Sequence, residues 1–244
     1  MAGNWKMYKT PAETRTFFEK FRPLVERAEH CEIVICPPFP DLEAAVEAAE
    51  RTQIRIGAQN LYWAKEGAYT GEVSGPMIRA TGATHVIIGH SERRQFFGET
   101  NETVLKKTQA ALAAGLAPIV CVGERLEERE TGKTEAVLCE QCQNGIAGLD
   151  ARAFSQIVIA YEPVWAIGTG KVATPEMAGE AHRVIRAEAR ARYGEEAANQ
   201  VRILYGGSVK PDNVKSLMAQ PEVDGVLVGG ASLDPASFAA IVHF

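Results

Sequence analysis

Glu162 is followed at once by Pro163, then by Val164, Trp165 and Ile167, and then by Gly168-Thr169-Gly170. The β-branched residues 157–159 lead into it and read as a buried strand. Proline fixes its own φ and pushes the preceding residue toward extended backbone, so the strand stops with the Glu162 side chain held at its end. Bulky apolar residues shield what lies beneath them, and the glycines let the backbone swing at little cost. A carboxylate at a strand end under a hinged apolar flap suits abstraction of a proton, because exclusion of water raises its basicity. A lone strand-end glutamate can equally cap a neighbouring amide beside an ordinary loop, so other residues must decide.

Complementary groups stand at other candidate strand ends. The first strand delivers Asn4 and Lys6, two residues apart and on one side if the strand continues. The fourth runs Ile87-Ile88-Gly89-His90-Ser91-Glu92-Arg93-Arg94. His90 there follows a buried run and precedes a short helical turn. Backbone N–H groups of such a turn can donate to one ring nitrogen, which suppresses the imidazolium and leaves a neutral hydrogen-bond donor. The last two strands end in Tyr205-Gly206-Gly207-Ser208 and Val228-Gly229-Gly230-Ala231-Ser232. Paired glycines allow close approach of backbone amides to an anion, although tight turns use glycine in any case.

The elements that must position these groups alternate. Apolar runs at 2–5, 32–36, 54–58, 85–88, 117–122, 157–161, 201–204 and 225–228 predict strands. Amphipathic segments at about 11–29, 41–50, 74–81, 101–114, 127–147, 175–193, 211–219 and 235–242 predict helices. Thr10-Pro11, Thr174-Pro175 and Asp234-Pro235 each place a capping residue before a proline, a helix start signal. Near-continuous apolar strands imply a parallel sheet covered on both faces. The first strand ends in Gly3-Asn4-Trp5-Lys6, with no Gly-rich dinucleotide turn, so a closed (β/α)8 barrel fits better than an open α/β sheet. Such a barrel carries its chemistry at the C-terminal ends of its strands, with phosphate sites commonly after the last two. No linker or compositional break divides residues 1–244, which reads as a single domain.

Composition is that of an ordinary globular chain: 46% hydrophobic, 23% charged, formal net charge -5. The acidic balance speaks against nucleic acid or an anionic membrane as partner, while a small phosphate can still be held by local dipoles. The five cysteines, Cys31, Cys36, Cys121, Cys139 and Cys142, show no secretory spacing and read as reduced thiols in a cytoplasmic protein. Cys139 and Cys142 form a CxxC inside a helical pattern with no second Cys or His pair, so a metal site is not expected. No run of about 18 apolar residues suggests a membrane span.

Five segments, Gly3-Asn4-Trp5-Lys6-Met7, Gly89 to Arg94, Tyr161 to Lys171, Tyr205 to Ser208 and Val228 to Leu233, resemble the triosephosphate isomerase family, in order and at matching spacing. The resemblance implies a TIM barrel and an aldose–ketose isomerase that needs no cofactor or metal. It implies Glu162 as base, His90 as neutral electrophile, and Lys6 and Asn4 in contact with a phosphorylated triose. It also implies Gly168, Ser208, Gly229 and Gly230 around the phosphate, with Ser91 and Glu92 supporting. The loop Gly67-Ala68-Tyr69-Thr70-Gly71-Glu72 is longer than a barrel turn requires; by the resemblance it inserts into a partner subunit, predicting a homodimer with Tyr69 and Thr70 buried there. Tyrosine stands at 69 where phenylalanine is common in the family. Only Met1 and Ala2 precede Gly3, so the first strand is expected to be short at its N-terminal end and the barrel bottom less well packed. An epimerase or a Schiff-base aldolase using Lys6 is the rival enzyme class, but no lysine lies in strands four to eight as such an aldolase would need. An inactive barrel serving only as a binding partner is a further alternative, opposed by the presence of every chemical group named.

Overall fold

The eight apolar runs are parallel strands, and each finds a partner on both sides because the sheet closes on itself. The computed structural model describes residues 1–146, 148–167 and 171–244. The strands are β1 (Ala2–Asn4), β2 (Ile33–Cys36), β3 (Ile54–Ala58), β4 (His85–Ile88), β5 (Ala117–Val122), β6 (Val158–Tyr161), β7 (Arg202–Tyr205) and β8 (Gly225–Val228). Among the described residues the α-helices are α1 (Pro11–Val25), α2 (Leu42–Ala48), α3 (Gly75–Ala80), α4 (Ser91–Phe96), α5 (Asn101–Ala113), α6 (Leu126–Glu130), α7 (Thr134–Gly145), α8 (Ala151–Phe154), α9 (Pro175–Gln200), α10 (Val214–Met218) and α11 (Pro235–Val242). Ala2 closes the ring, standing opposite Val34 of β2 on one side and Leu227 of β8 on the other.

Thr10, Thr174 and Asp234 cap their helices as predicted, each side chain accepting from a backbone N–H in the first turn. Two helices depart from expectation at glycines. The segment predicted as one helix over 127–147 is split into α6 and α7, because Gly132 between them has a φ of 70°. The segment ending near 193 continues to Gln200, across a kink where Gly194 has a φ of 87° and a ψ of 172°. Both backbones lie in regions that only glycine enters without strain.

Strand periodicity divides the core in two. Ala2, Val34, Cys36, Ile87, Ile119, Cys121, Ala160, Leu204 and Leu227 form one cluster. The second cluster is larger and contains Trp5, Phe17, Phe18, Phe21, Ile35, Val120, Ile159, Tyr161, Ile203 and Val226, alternate strand residues packed with side chains of the surrounding helices. The parity of the first cluster reaches Asn4 at the end of β1 and Glu162 one step beyond β6, which therefore stand above the barrel interior. Trp5 has the opposite parity: it is fully buried, packs edge-on to Phe17 at 4.8 Å, and donates its indole N–H to the Ser232 carbonyl at 3.1 Å. That bond ties the end of β1 to the turn after β8.

β1 has three residues, as the short N-terminal run predicted. The Met1 ammonium donates to the Glu32 carbonyl, and the Met1 carbonyl accepts from Val34 N. A cavity of about 280 Å³ lies at this end, among Met1, Ala2, Val34, His85, Ile119 and Leu204. No described helix is long and apolar enough to cross a membrane.

Candidate active site

Glu162 is 2% exposed, yet its carboxylate is fully engaged. Oε2 accepts from Ser91 N at 3.0 Å, and Oε1 accepts from the Ser91 hydroxyl at 3.3 Å and lies 2.8 Å from His90 Nε2. Burial pushes the Glu162 acid upward; the charge and hydrogen bond of His90, the Ser91 amide and the Cys121 thiol outweigh it and hold the group below the usual carboxylate range. The backbone is fixed as firmly as the side chain. Glu162 N donates to the Val122 carbonyl at 2.7 Å, and Val164 N donates to the Glu124 carbonyl at 3.1 Å. Beyond Pro163, Trp165 donates its indole N–H at 2.9 Å to the buried Glu124 carboxylate, which also accepts from Tyr161 Oη at 3.1 Å.

His90 has the strand parity of the outer face, and a positive φ turns it inward. Gly89, with a φ of 72°, breaks the alternation at the end of β4 and directs the next residue over the barrel mouth. His90 then becomes the cap of α4: its Nδ1 accepts from Glu92 N at 3.2 Å, so the proton sits on Nε2, which faces Glu162. Burial alone would lower the imidazole. The Glu162 carboxylate, its hydrogen bond and then Glu92 reverse this and raise the group above its ordinary value while the two side chains touch. The backbone donor at Nδ1 opposes the imidazolium, because a second ring proton would point at an N–H.

Asn4 and Lys6 do not share a face through strand continuation, as the sequence suggested. β1 ends at Asn4, and Lys6 has a φ of 53°, in the left-handed region that a side chain rarely adopts. Three contacts hold that turn: Asn4 Oδ1 accepts from Lys6 N at 3.0 Å, Gln59 Nε2 donates to the Lys6 carbonyl at 2.8 Å, and Lys6 Nζ pairs with Glu92 at 2.6 Å. Gln59 was not foreseen; as one polar residue just past β3 it carries no local signal.

The far end of the site is built by the glycine turns. A cavity of about 710 Å³ is lined by Asn4, Lys6, His90, Glu162, Ser208, Gly229 and Gly230 together with Ile167, Gly207 and Lys210. Gly207 has a second reason to be glycine: a Cβ there would lie 2.2 Å from the Tyr205 hydroxyl and 3.0 Å from Pro163. The turn Gly230–Leu233 opens on the cavity, and the first amides of such a turn have no acceptor within it. Asn213 braces the other turn, accepting from Lys210 N at 2.8 Å and donating to the Ser208 carbonyl at 3.0 Å. Lys210 was missed in the sequence because its approach to the site depends on this turn. Gly168 falls outside the described residues.

One cavity thus holds a buried carboxylate, an imidazole with its proton aimed at that carboxylate, an ammonium, and two glycine turns suited to an anion. The family model described as triosephosphate isomerase matches residues 1–244. The chain belongs to the triosephosphate isomerase family. A triosephosphate isomerase of Solibacter usitatus is 72% identical over 244 residues, covering 100% of this chain and 98% of that protein. One of Citrifermentans bemidjiense is 55% identical, covering 100% and 97%. The crystal structure of triosephosphate isomerase from Bartonella henselae superposes with a TM-score of 0.90 at 39% identity, covering 100% of this chain and 98% of that one. As a triosephosphate isomerase family member with this fold, the chain is an isomerase built on a TIM barrel.

Other residues singled out in the sequence lie outside the cavity. Tyr69 is 46% exposed, its ring tilted against Tyr62 with centroids 4.6 Å apart, and Thr70 beside it is exposed. Cys139 and Cys142 lie on α7, unpaired, and burial pushes their thiols up to about 11 and about 12. Thiols that resist ionisation are poor nucleophiles and poor metal ligands.

Proposed function

We propose that Glu162 moves the proton between adjacent carbons of a phosphorylated triose, through an enediolate, with His90 and Lys6 stabilising charge on the substrate oxygens. The chain interconverts glyceraldehyde 3-phosphate and dihydroxyacetone phosphate, the isomerisation its family performs in glycolysis and gluconeogenesis. The observation that carries the assignment is the convergence of the Glu162 carboxylate and His90 Nε2, 2.8 Å apart at the rim of the 710 Å³ cavity. Both groups face one space, and the anion-suited turns face the same space from the other side.

The proton attached to carbon is weakly acidic, so the carbonyl must be polarised as the base acts. His90, presenting Nε2–H, and Lys6, presenting its ammonium, are preorganised donors of the kind that contribute several kcal/mol where charge develops. In the geometry described, Glu162 is occupied by Ser91 and His90. Turning toward substrate strips it of these bonds, leaving burial to raise its basicity. The same departure removes the main cause that raises His90, and burial with the Glu92 amide then favours the neutral ring. A carboxylate base beside an uncharged imidazole is the standard example drawn from this family. Gly168, Ser208, Gly229 and Gly230 hold the phosphate, and that remote binding orients the reacting carbons.

The whole chain acts as one domain in this proposal, in the cytoplasm, where its five unpaired thiols stay reduced. It works as a homodimer through Tyr69 and Thr70. The βα loops of β1, β3 and β4 support this, since they expose Met7, Tyr8, Tyr69, Phe96 and Phe97 on one rim.

The test of the base is Glu162→Gln, which keeps the shape and removes the proton acceptor. In a coupled assay of glyceraldehyde 3-phosphate turnover, kcat should fall about 10²–10⁴-fold with little change in KM. A variant retaining more than about a tenth of the turnover would mean that another group takes the proton.

A further inference from the structure

We infer that Gln141, on the outer helix α7, positions the base from behind by holding Gly123 in place of a missing strand partner. The inference rests on the assignment of Glu162 as base. On the β6 side Glu162 N and Val164 N bond the carbonyls that flank Gly123, so the N–H and C=O of Gly123 itself face the β4 side, where the ladder stops at Ile88 opposite Val120. The Gln141 side-chain amide takes over that role. Its Oε1 accepts from Gly123 N at 2.7 Å, and its Nε2 donates to the Gly123 carbonyl at 3.0 Å. One side chain thereby satisfies both polar groups of one residue, as an adjacent strand would.

What makes Gly123 consequential is its contact with the base. A Cβ at this position would lie 1.7 Å from the Glu162 carbonyl oxygen and 3.2 Å from its Cα, so the two backbones are in direct contact. The flanking carbonyls, of Val122 and Glu124, are those that accept from Glu162 N and Val164 N. Any turn of the Gly123 peptide therefore moves both anchors of the segment that carries Glu162. Glycine is the residue most able to make such a turn, and unpaired polar groups in this part-buried place would drive it. Among the described residues, Gln141 makes no hydrogen bond to the turns after β7 and β8 that line the phosphate end of the cavity.

The substitution Gln141→Met removes both bonds while keeping length and helix propensity. Misplacement of the reacting group by about 1 Å costs about 10²-fold. The expected result is a kcat lowered about 10- to 100-fold, with KM and the inhibition constant of inorganic phosphate changed less than about twofold. The primary deuterium isotope effect on kcat should rise, because proton transfer becomes slower relative to the other steps. Gln143→Met, two residues along and exposed on the same helix, should leave all of these unchanged. Gln141→Glu supplies a second reading that does not depend on the methionine variant folding. A protonated glutamic acid can accept from Gly123 N and donate to the Gly123 carbonyl as the amide does, whereas the carboxylate repels that carbonyl. Its kcat relative to the unaltered protein should rise as pH is lowered through the titration of the new carboxyl. An unchanged kcat in Gln141→Met would overturn the inference. So would a loss explained by the inactive fraction with an unaltered isotope effect, or a pH-independent ratio for Gln141→Glu. Retained activity in Glu162→Gln would instead sink the assignment of the base, whatever Gln141 does.

Discussion

His182 is fully buried on α9, with its Nδ1 2.9 Å from the Glu222 carbonyl and its ring edge-on to Tyr161 at 5.8 Å. Burial pushes its pKa down to about 4, so the native protein holds it neutral at pH values where an unfolded chain takes up a proton. A depressed folded pKa gives stability that is present above the unfolded value, about 6.5, and lost as pH falls toward about 4. Between about pH 7.5 and about pH 5, this one group should cost on the order of 2 kcal/mol of unfolding free energy. Urea titrations at the two pH values measure it, with His182→Gln as the comparison. A variant whose stability falls with pH as steeply as that of the unaltered protein would show that other groups carry the acid sensitivity. His90 and Lys6 teach a different lesson at this scale. Their chemistry was legible in the sequence, but their orientation was not, because it depends on the positive φ of Gly89 and of Lys6 itself.

Among the elements, the pair α6 and α7 separates what periodicity can and cannot tell. The apolar spacing of 127–147 is compatible with one helix, and composition alone does not forbid Gly132 within it. Packing decides otherwise: the chain turns at Gly132, where a φ of 70° is needed and a Cβ would meet no heavy atom within 4 Å. The substitution Gly132→Ala should therefore cost stability through backbone strain alone, by about 1 kcal/mol, with kcat unchanged. A thermal melt is the measurement. An unshifted or raised melting temperature would mean that the alanine had rejoined α6 and α7 into one continuous helix. The prolines at α1, α9 and α11 succeeded as start signals because capping is local: donor, acceptor and proline lie within four residues.

Closure of the barrel is the event that assembles the site from the whole molecule. Lys6 and Glu92 are 86 residues apart in the chain and 2.6 Å apart in space, and Trp5 reaches Ser232 across 227 residues. The same closure brings the segments after β1, β3 and β4 to one rim, leaving Met7 at 92% and Phe96 and Phe97 at 67% exposure. Large apolar side chains on one rim call for a cover, which the proposed homodimer supplies. In sedimentation velocity the unaltered chain should run at twice the monomer mass, and Tyr69→Asp should shift it toward the monomer. An unaltered chain sedimenting as monomer at micromolar concentration would rule the homodimer out.

The sequence by itself determined the number and order of the βα units, the strand that ends in Glu162, and the glycine turns at the opposite side of the site. These depend on alternation, proline and glycine, all of which act over a few residues. Tertiary structure decided which groups touch: the Ser91 and His90 bonds to Glu162, the Gln59 support of Lys6, and the Gln141 clamp on Gly123. Each joins residues at least 18 positions apart, and a single glutamine or serine looks the same in a sequence whether or not the fold brings it a partner.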